Sequence, residues 1–363
     1  MARRPLQRRA RRDHERDVSE TSNETGKPAA PGKARALTVV AALIGLIVAT
    51  AVIGYFNFGA VLKAMAPIGV GGFLVVIAAQ VVLFAPLGVA WWLVAPGEPT
   101  NRAPIFMWAR LLREAASDVL PFSQLGAIVI CGRAAVLGGV DASMAFGSIT
   151  VDITVEMVAQ MTYTLIGIGI LTHHLGFAAF KHSLAPAIFG ALALALFMVG
   201  GTILVQRRGL SLVAGLVEKL APAAGRRADA VIEAIKAAHA RPDRMLASLV
   251  LHMVCWFGAA AGTWLILAFI GHPLPYSSVV AIEALLFAIR NAAFIAPSGL
   301  GVQEGAYVLL GPLFGLPAEA ALALSLLKRG RDFAIGVPML LSWQFLENRR
   351  ILRQTPAQGA ARE

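Results

Sequence analysis

The residues with the most chemical potential form a charged run in the middle of an otherwise apolar stretch. The run contains Lys328, Arg329, Arg331 and Asp332. Because a single charge at the centre of a bilayer costs about 2.5–3.5 kcal/mol on insertion scales, four charges together must be paired or face water. Helical spacing allows Lys328 and Arg329 to pair with Asp332. This pairing still leaves more cations than anions, so further anionic partners are needed.

Ionisable residues in other apolar segments are candidates to balance this run. Glu283 and Glu304 precede it, and Asp152 and Glu156 share one helix face at i, i+4 spacing. Two interpretations stay open: buried ion pairs that fix how the helices pack, or a net-cationic cavity that binds a phosphate or another anionic head group. On the second interpretation, the residues predicted to bind substrate are Arg290, Gln303, Glu304, Lys328, Arg329, Arg331, Asp332, Asp152 and Glu156.

The composition assigns the chain that carries these residues to the membrane proteins. Of 363 residues, 57% are hydrophobic and 15% are charged, far from the values of a soluble domain. The formal net charge is +11, but most of the excess lies in polar segments between apolar stretches, where Lys and Arg report orientation. We therefore exclude a water-soluble fold and expect a membrane lipid as the partner, with no nucleic acid.

A helix needs ~20 mainly apolar residues to cross a bilayer. The segments that meet this need are Leu37–Tyr55, Gly71–Val94, Ala145–Leu171, Leu184–Val205, Leu246–Ile270 and, with charges at its centre, Ala318–Gln344. The tail 1–36, the segment 206–244 and the end 347–363 are basic, so the positive-inside rule predicts that all three are cytoplasmic or interfacial in a bacterial inner membrane. The tail 1–36 has no apolar periodicity and is predicted to be disordered.

Two further apolar stretches, 104–144 and 278–316, are interrupted by proline, glycine and charge. The strongly basic segments all lie on one side of the membrane only if each of these stretches enters and leaves the membrane on the same side. We therefore predict two re-entrant hairpins, whose breaks must be buried by protein or line a wet cavity. The predicted breaks are at Pro121, Ser123, Gly126, Pro297, Ser298, Gly299 and Gly301.

The two hairpins share a motif. From Pro121 the first reads Pro, Ser and Leu-Gly and continues to Gly139, an aliphatic residue and A-x-x-A. From Pro297 the second shows the same order as far as Gly315. A span with ionisable residues follows each, one predicted to run outward and the other inward. The sequence thus predicts an all-α, polytopic bundle of about six full spans and two re-entrant hairpins in an inverted repeat, with a central binding site.

Other residues with chemical potential favour structural roles. Cys131 and Cys255 lie in apolar segments and are predicted to be inert packing residues. The pair His173 and His174 is expected to be solvated in an outer loop, and His252 is expected to bridge two helices by a hydrogen bond. The sequence shows no nucleophile triad, nucleotide-binding loop or zinc motif. We expect no catalytic residue, no cofactor and no metal.

The segment from Arg290 to Tyr307, which contains P-S-G-L-G-V-Q-E-G, and the K-R-G-R-D run at 328–332 together resemble a known family. This is the flippase-like membrane domain of lysylphosphatidylglycerol synthases and their stand-alone relatives, and the hopanoid-biosynthesis-associated HpnL branch looks most similar. The resemblance covers residues 37–346. Ser298 departs from the general family pattern, as Lys328 does.

The resemblance implies a multi-pass membrane protein that moves or traffics lipid, and it singles out Glu304 and Arg329. We expect a flippase or lipid-transport component for a polar-headed lipid, linked to hopanoid biosynthesis. Only 17 residues follow Leu346, so lysyl transfer to lipid by an appended soluble domain is not expected. The alternative is an accessory or scaffold protein of a lipid biosynthetic pathway, without transport activity. Biosynthetic partner proteins are compatible with either hypothesis. A third hypothesis is an intramembrane transferase that acts on a lipid and uses Glu304 or Asp332 as a base.

Overall fold

The computed structural model describes residues 58–120, 123–176, 222–292 and 301–354. The regular secondary structure in these ranges is helical throughout. The predicted spans Leu37–Tyr55 and Leu184–Val205 lie outside the described residues, as does the tail 1–36.

The helices of the described residues fall into two consecutive sets of five. The first set is α1 (Phe58–Met65), α2 (Gly69–Leu93), α3 (Ala103–Val119), α4 (Ser123–Leu137) and α5 (Ala142–Leu175). The second set is α6 (Pro222–His239), α7 (Pro242–Phe269), α8 (Tyr276–Ala292), α9 (Val302–Leu310) and α10 (Ala318–Gln354). Single 3-10 turns lie before α2, before α3 and after α9.

Three helices in the described residues are long and apolar enough to cross a membrane. They are Leu62–Leu93, Ala142–Leu175 and Pro242–Phe269, and each contains most or all of one predicted span. The predicted span Ala318–Gln344 lies within α10, which has 37 residues but carries the charged run in its first half. The structure thus confirms an all-α, membrane-type helical protein.

The packing of the helices confirms the internal repeat. Each helix of the first set packs like the helix five places later, so most of the contacts between described helices have a counterpart. Thus α2 packs on α3 as α7 does on α8, α3 on α4 as α8 on α9, and α4 on α5 as α9 on α10. Contacts between the sets obey the same rule: α3 packs on α10 as α8 does on α5, and α1 on α10 as α6 on α5.

The two sets run in opposite directions. The equivalent helices α2 and α7 pack against each other, with Gly72 beside Phe269 and Leu83 beside Gly258. As the residue number rises along α2, the number of the contacted residue falls along α7, so the two helices are antiparallel. Equivalent helices that are antiparallel define a repeat of inverted topology, as in many transporters.

The predicted hairpins are pairs of short helices. Helices α3 and α4 pack on each other on either side of residues 121–122, and α8 and α9 do so on either side of 293–300. Both hairpins end in the same way, because the amides of Gly139 and Gly315 bond to carbonyls at matching positions and both residues have positive φ, 93° and 81°. This left-handed conformation favours glycine. It explains why the shared motif contains a glycine there.

Small residues allow the hairpins to pack against the opposite repeat. Gly167 of α5 lies so close to α8 that a Cβ there would be 2.4 Å from the Cβ of Ala284. Likewise, a Cβ on Gly336 of α10 would be 2.5 Å from Val119 of α3. Such close approach is typical of helix contacts in membranes. Each hairpin is therefore held between its own repeat and the long helix of the other.

Candidate functional site

The first charged group joins the first hairpin to α5, and we call it the first-repeat cluster. Arg110 of α3 places Nη1 2.7 Å from Asp152 Oδ2 and Nη2 2.6 Å from Glu156 Oε1. Arg113, one turn later, places Nη1 2.9 Å from Glu156 Oε2. Asp152 and Glu156 share one face of α5, as their spacing predicts. Their partners are the arginines of α3, so the expectation that they balance the charged run of α10 was wrong.

Two more residues complete the first-repeat cluster. Glu114 places Oε1 3.0 Å from Arg110 Nε. His252 reaches across from α7 of the other repeat and places Nε2 3.0 Å from Asp152 Oδ1. The helix-bridging role predicted for His252 is therefore confirmed. Asp152, which is fully buried, is held by side chains from both repeats.

The second charged group, the second-repeat cluster, joins four helices around Lys328 of α10. Its Nζ lies 2.7 Å from Glu283 Oε2 of α8, 2.7 Å from the hydroxyl of Tyr307 of α9 and 3.2 Å from Thr263 Oγ1 of α7. Tyr307 and Thr263 also donate hydrogen bonds to Glu283. These groups are buried. A buried lysine of this kind is stable only with such partners.

Glu304 and Arg329 form a third pair, and this confirms that Glu304 lies within reach of a cation of the charged run. Arg329 Nε lies 2.6 Å from Glu304 Oε1. The other oxygen of Glu304 accepts a hydrogen bond of 2.9 Å from the amide of Gly301 at the start of α9. Gly301 has a φ of 76°, which explains the glycine at this predicted break. The pair therefore fixes the start of α9 against α10.

The fourth group, the central cluster, lies where both hairpins approach their breaks. Arg290, near the end of α8, places Nη2 4.0 Å from Asp118 Oδ1, near the end of α3. Asp118 also interacts electrostatically with Arg331 and Asp332 of α10. The side chains of Arg290 and Asp118 are 26% and 29% exposed, more than those of the buried pairs. The central cluster thus contains reachable charges of both signs from both repeats.

Gln303 connects the central cluster to α10. Its Oε1 lies 3.4 Å from Arg290 Nη1, and its Nε2 donates to Ser325 Oγ at 3.1 Å. Gln303 is buried. Gln303 therefore holds the side chain of Arg290 in position relative to Ser325 of α10.

Two of the anionic partners predicted for the charged run, Glu283 and Glu304, are confirmed, and no excess of cations remains among the described residues. Arg290, Lys328, Arg329 and Arg331 lie within 4.0 Å of Asp118, Glu283, Glu304 and Asp332, respectively. Asp332 pairs with its neighbour Arg331, while Lys328 and Arg329 reach carboxylates on other helices. The expectation of a net-cationic cavity was therefore wrong for the described residues. A bare anion is no longer needed to neutralise the charged run.

The predicted break residues lie partly outside the described residues. Pro121, Pro297, Ser298 and Gly299 lie outside the described residues, whereas Ser123 begins α4. Gly126 is exposed on α4, with open space where a Cβ would stand. These residues stay predictions as parts of a lipid path.

Other predictions about single residues had mixed outcomes. Cys131 and Cys255 are free and buried, as predicted for packing residues. His173 and His174 lie in the last turn of α5, not in a loop. His174 Nε2 lies 3.1 Å from the carbonyl oxygen of Leu313, and its ring stacks on Phe314. In the described residues, no group of three or more His, Cys, Asp and Glu side chains could hold a metal ion.

The sequence interpretation missed Arg110 and Asp118. Arg110, Arg113 or Glu114, and Asp118 recur at helical spacing and so share one face of α3. This stripe in an otherwise apolar hairpin was the signal available in the sequence. Because of this stripe, the first hairpin contributes charged side chains to the site, as the second hairpin does.

A comparison with protein families shows which family the chain belongs to. The family model described as lysylphosphatidylglycerol synthase TM region matches residues 39–339. The chain belongs to this family. In this member of the lysylphosphatidylglycerol synthase TM region family, the match includes both repeats and all four charged groups. No curated protein and no solved structure matches the chain.

Proposed function

We propose that this membrane protein translocates a polar-headed lipid between the leaflets of a bacterial inner membrane, without catalysing a reaction. The family supports a lipid-related membrane role. The inverted repeat supports transport, because matched broken helices in two opposed halves are typical of transporters with a central site. The link to hopanoid biosynthesis and to the HpnL branch rests on the sequence motif and is part of the proposal.

The central cluster is the observation that carries the proposal. Asp118 and Arg290 come from equivalent helices of the two hairpins and are partly exposed, with Arg331 and Asp332 nearby. A head group that moves past this cluster exchanges water for fixed charges, so the cost of taking a polar group through hydrocarbon falls. The tails of the lipid would stay in the bilayer.

The mixed charge of the central cluster favours a head group of mixed character. A carboxylate accepts hydrogen bonds and arginine donates them in a planar fork. A zwitterionic or hydroxyl-rich head group can satisfy both, whereas a bare phosphate can use only the arginines. We therefore infer a head group that carries donors as well as acceptors.

Two contacts at opposite ends of the bundle support alternating access to this cluster. At one end, Arg133 of α4 pairs with Glu347 of α10, with 2.9 Å between Nε and Oε1. At the other, His174 of α5 contacts Leu313 after α9. Since α4 corresponds to α9 and α10 to α5, the two contacts join corresponding parts of the two repeats. We propose that they close the path on the cytoplasmic and outer sides, with both termini in the cytoplasm.

Leaflet-resolved lipid distribution in reconstituted vesicles tests the function. Folded Asp118→Asn and Arg290→Gln variants should lose translocation of the lipid that the parent moves, while an Arg349→Ala variant should keep it. Arg349 is the matched control because it is exposed near the end of α10 and lies outside the four charged groups. Equal movement by all variants, or none by the parent with every polar-headed lipid tested, would contradict the proposal.

The alternative is a scaffold for enzymes or other partner proteins of lipid biosynthesis. The buried second-repeat cluster and the Glu304–Arg329 pair favour it, since they fasten helices and are fully paired. A scaffold would retain its partners in the same two variants, which pull-down of those partners would reveal.

A further inference from the structure

The first-repeat cluster has an unbalanced charge. Among the described residues it contains two cations, Arg110 and Arg113, and three carboxylates, Glu114, Asp152 and Glu156. The cluster is therefore one positive charge short of neutrality while His252 is neutral. An excess charge of this kind inside a membrane protein is costly unless something compensates it.

His252 is placed to supply that charge. Its ring is fully buried, and Nε2 carries the hydrogen that Asp152 accepts, because an ionised carboxylate can only accept. The other ring nitrogen, Nδ1, has no hydrogen-bond partner among the described residues. Buried polar atoms without partners are rare and need an explanation.

Ser248 provides a second buried polar atom without a partner. It lies one turn before His252 on α7, is fully buried, and its Oγ makes no hydrogen bond within the described part of the chain. Residues at this spacing project from the same helix face. A hydroxyl can donate to a bare ring nitrogen or accept from a protonated one, directly or through one buried water. Ser248 can thus serve both states of the ring.

We propose that His252 is a proton-binding site of this protein. The lone pair of Nδ1 takes up one proton from water, Nδ1–H donates toward Ser248, and Nε2–H continues to donate to Asp152. The first-repeat cluster then changes from one excess negative charge to neutrality.

Among the described residues, the other helices around α7 add no competing charge at this depth. Helix α2 contains no ionisable residue. Lys328 of α10 and Glu283 of α8 face α7 at Thr263, three turns beyond His252. On α6, Glu233 and Lys236 pair with each other and are exposed, Asp229 is exposed, and the ring of His239 bonds to the backbone carbonyl of Ile235. Within the part of the chain that the structure describes, the charges that face His252 are therefore those of the first-repeat cluster.

The position of His252 suggests how proton binding affects transport, and this part rests on the proposed function. His252 belongs to the second repeat and Asp152 to the first, so protonation creates an ion pair between the two repeats. Because the ring is buried, the proton can exchange with water only when the helices around it separate. Proton exchange would then accompany the movement of one repeat against the other, and lipid translocation would be coupled to protons.

Nitrogen-15 NMR of histidine-labelled protein in lipid nanodiscs tests the site without any transport. As pH falls from about 8 to about 5, the signals that change to the doubly protonated form should include one that is missing from a His252→Gln variant. A His239→Gln variant is the control, because its ring bonds to the backbone carbonyl of Ile235 and lies outside the cluster. A His252 ring that stays neutral throughout would overturn the site.

A pH difference across vesicles tests the coupling. One proton per lipid should shift the ratio of lipid between the leaflets roughly tenfold for each pH unit of gradient. His252→Gln should abolish this response. If the parent moves lipid but the leaflet ratio does not change with the pH gradient, the coupling is overturned. If the parent moves no tested lipid, the proposed function fails, whereas a protonated His252 in the NMR experiment would still support the site.

Discussion

Asp152 and Lys328 occupy equivalent positions in the two repeats and carry opposite charges. Each follows the start of the long helix of its repeat by the same number of residues, and each is buried against the first helix of its own hairpin. Asp152 pairs with Arg110, and Lys328 pairs with Glu283. The repeat thus conserves a buried ion pair between hairpin and long helix while exchanging the signs.

The first prediction concerns the stability of the second-repeat cluster. Lys328→Met should destabilise the protein by about 3–5 kcal/mol, because Glu283 would be left buried without its cation. The double variant Lys328→Met with Glu283→Gln should recover much of this loss, since no unpaired charge remains. Thermal unfolding in detergent measures both. A double variant as unstable as the sum of the two single variants would show that the pair is not coupled.

The second prediction concerns Arg329. An Arg329→Ala variant that folds should lose lipid movement, because Glu304 would no longer hold the start of α9 against α10. An Arg329→Lys variant should recover only part of the movement, since lysine lacks the planar fork of arginine. The measurement is the leaflet distribution of lipid in vesicles. Parent-like movement by Arg329→Ala would remove this pair from the mechanism.

The third prediction concerns topology. Cysteines introduced at Lys63 and Lys181 should react with a membrane-impermeant thiol reagent from outside, because their segments are poor in basic residues. A cysteine at Arg241, before α7, should react only after the membrane is opened. The test needs a background without Cys131 and Cys255, although both are buried. Labelling in the reverse pattern would invert the proposed orientation.

The fourth prediction concerns the two end contacts. A disulfide between cysteines at Arg133 and Glu347 should close one end of the path, and one between cysteines at His174 and Leu313 should close the other. Either bond alone should stop lipid movement, because alternating access needs both ends to open in turn.

Reduction of either bond should restore movement, which controls for damage by the substitutions. Cross-linked protein that still moves lipid would show that these contacts are not gates. The same pairs of cysteines without oxidant provide the second control.

The sequence by itself determined the class of the protein. Long apolar segments, basic segments that all fall on one predicted side and a motif shared by two broken stretches sufficed for an all-α inverted repeat, because these are one-dimensional consequences of the bilayer. The matching glycines Gly139 and Gly315 could also be identified from the sequence. The reason is local, because a helix end that needs a positive φ favours glycine.

Only the tertiary structure decided which charges meet. The sequence identified Asp152, Lys328 and Glu304 as intramembrane charges but assigned Asp152 to the wrong partners. Helical spacing predicts neighbours on the same helix, whereas Arg110 and Glu283 reach these charges from other helices. Pairing across helices depends on packing in three dimensions, and this is why the expected cation excess disappeared once each arginine and lysine was placed beside its carboxylate.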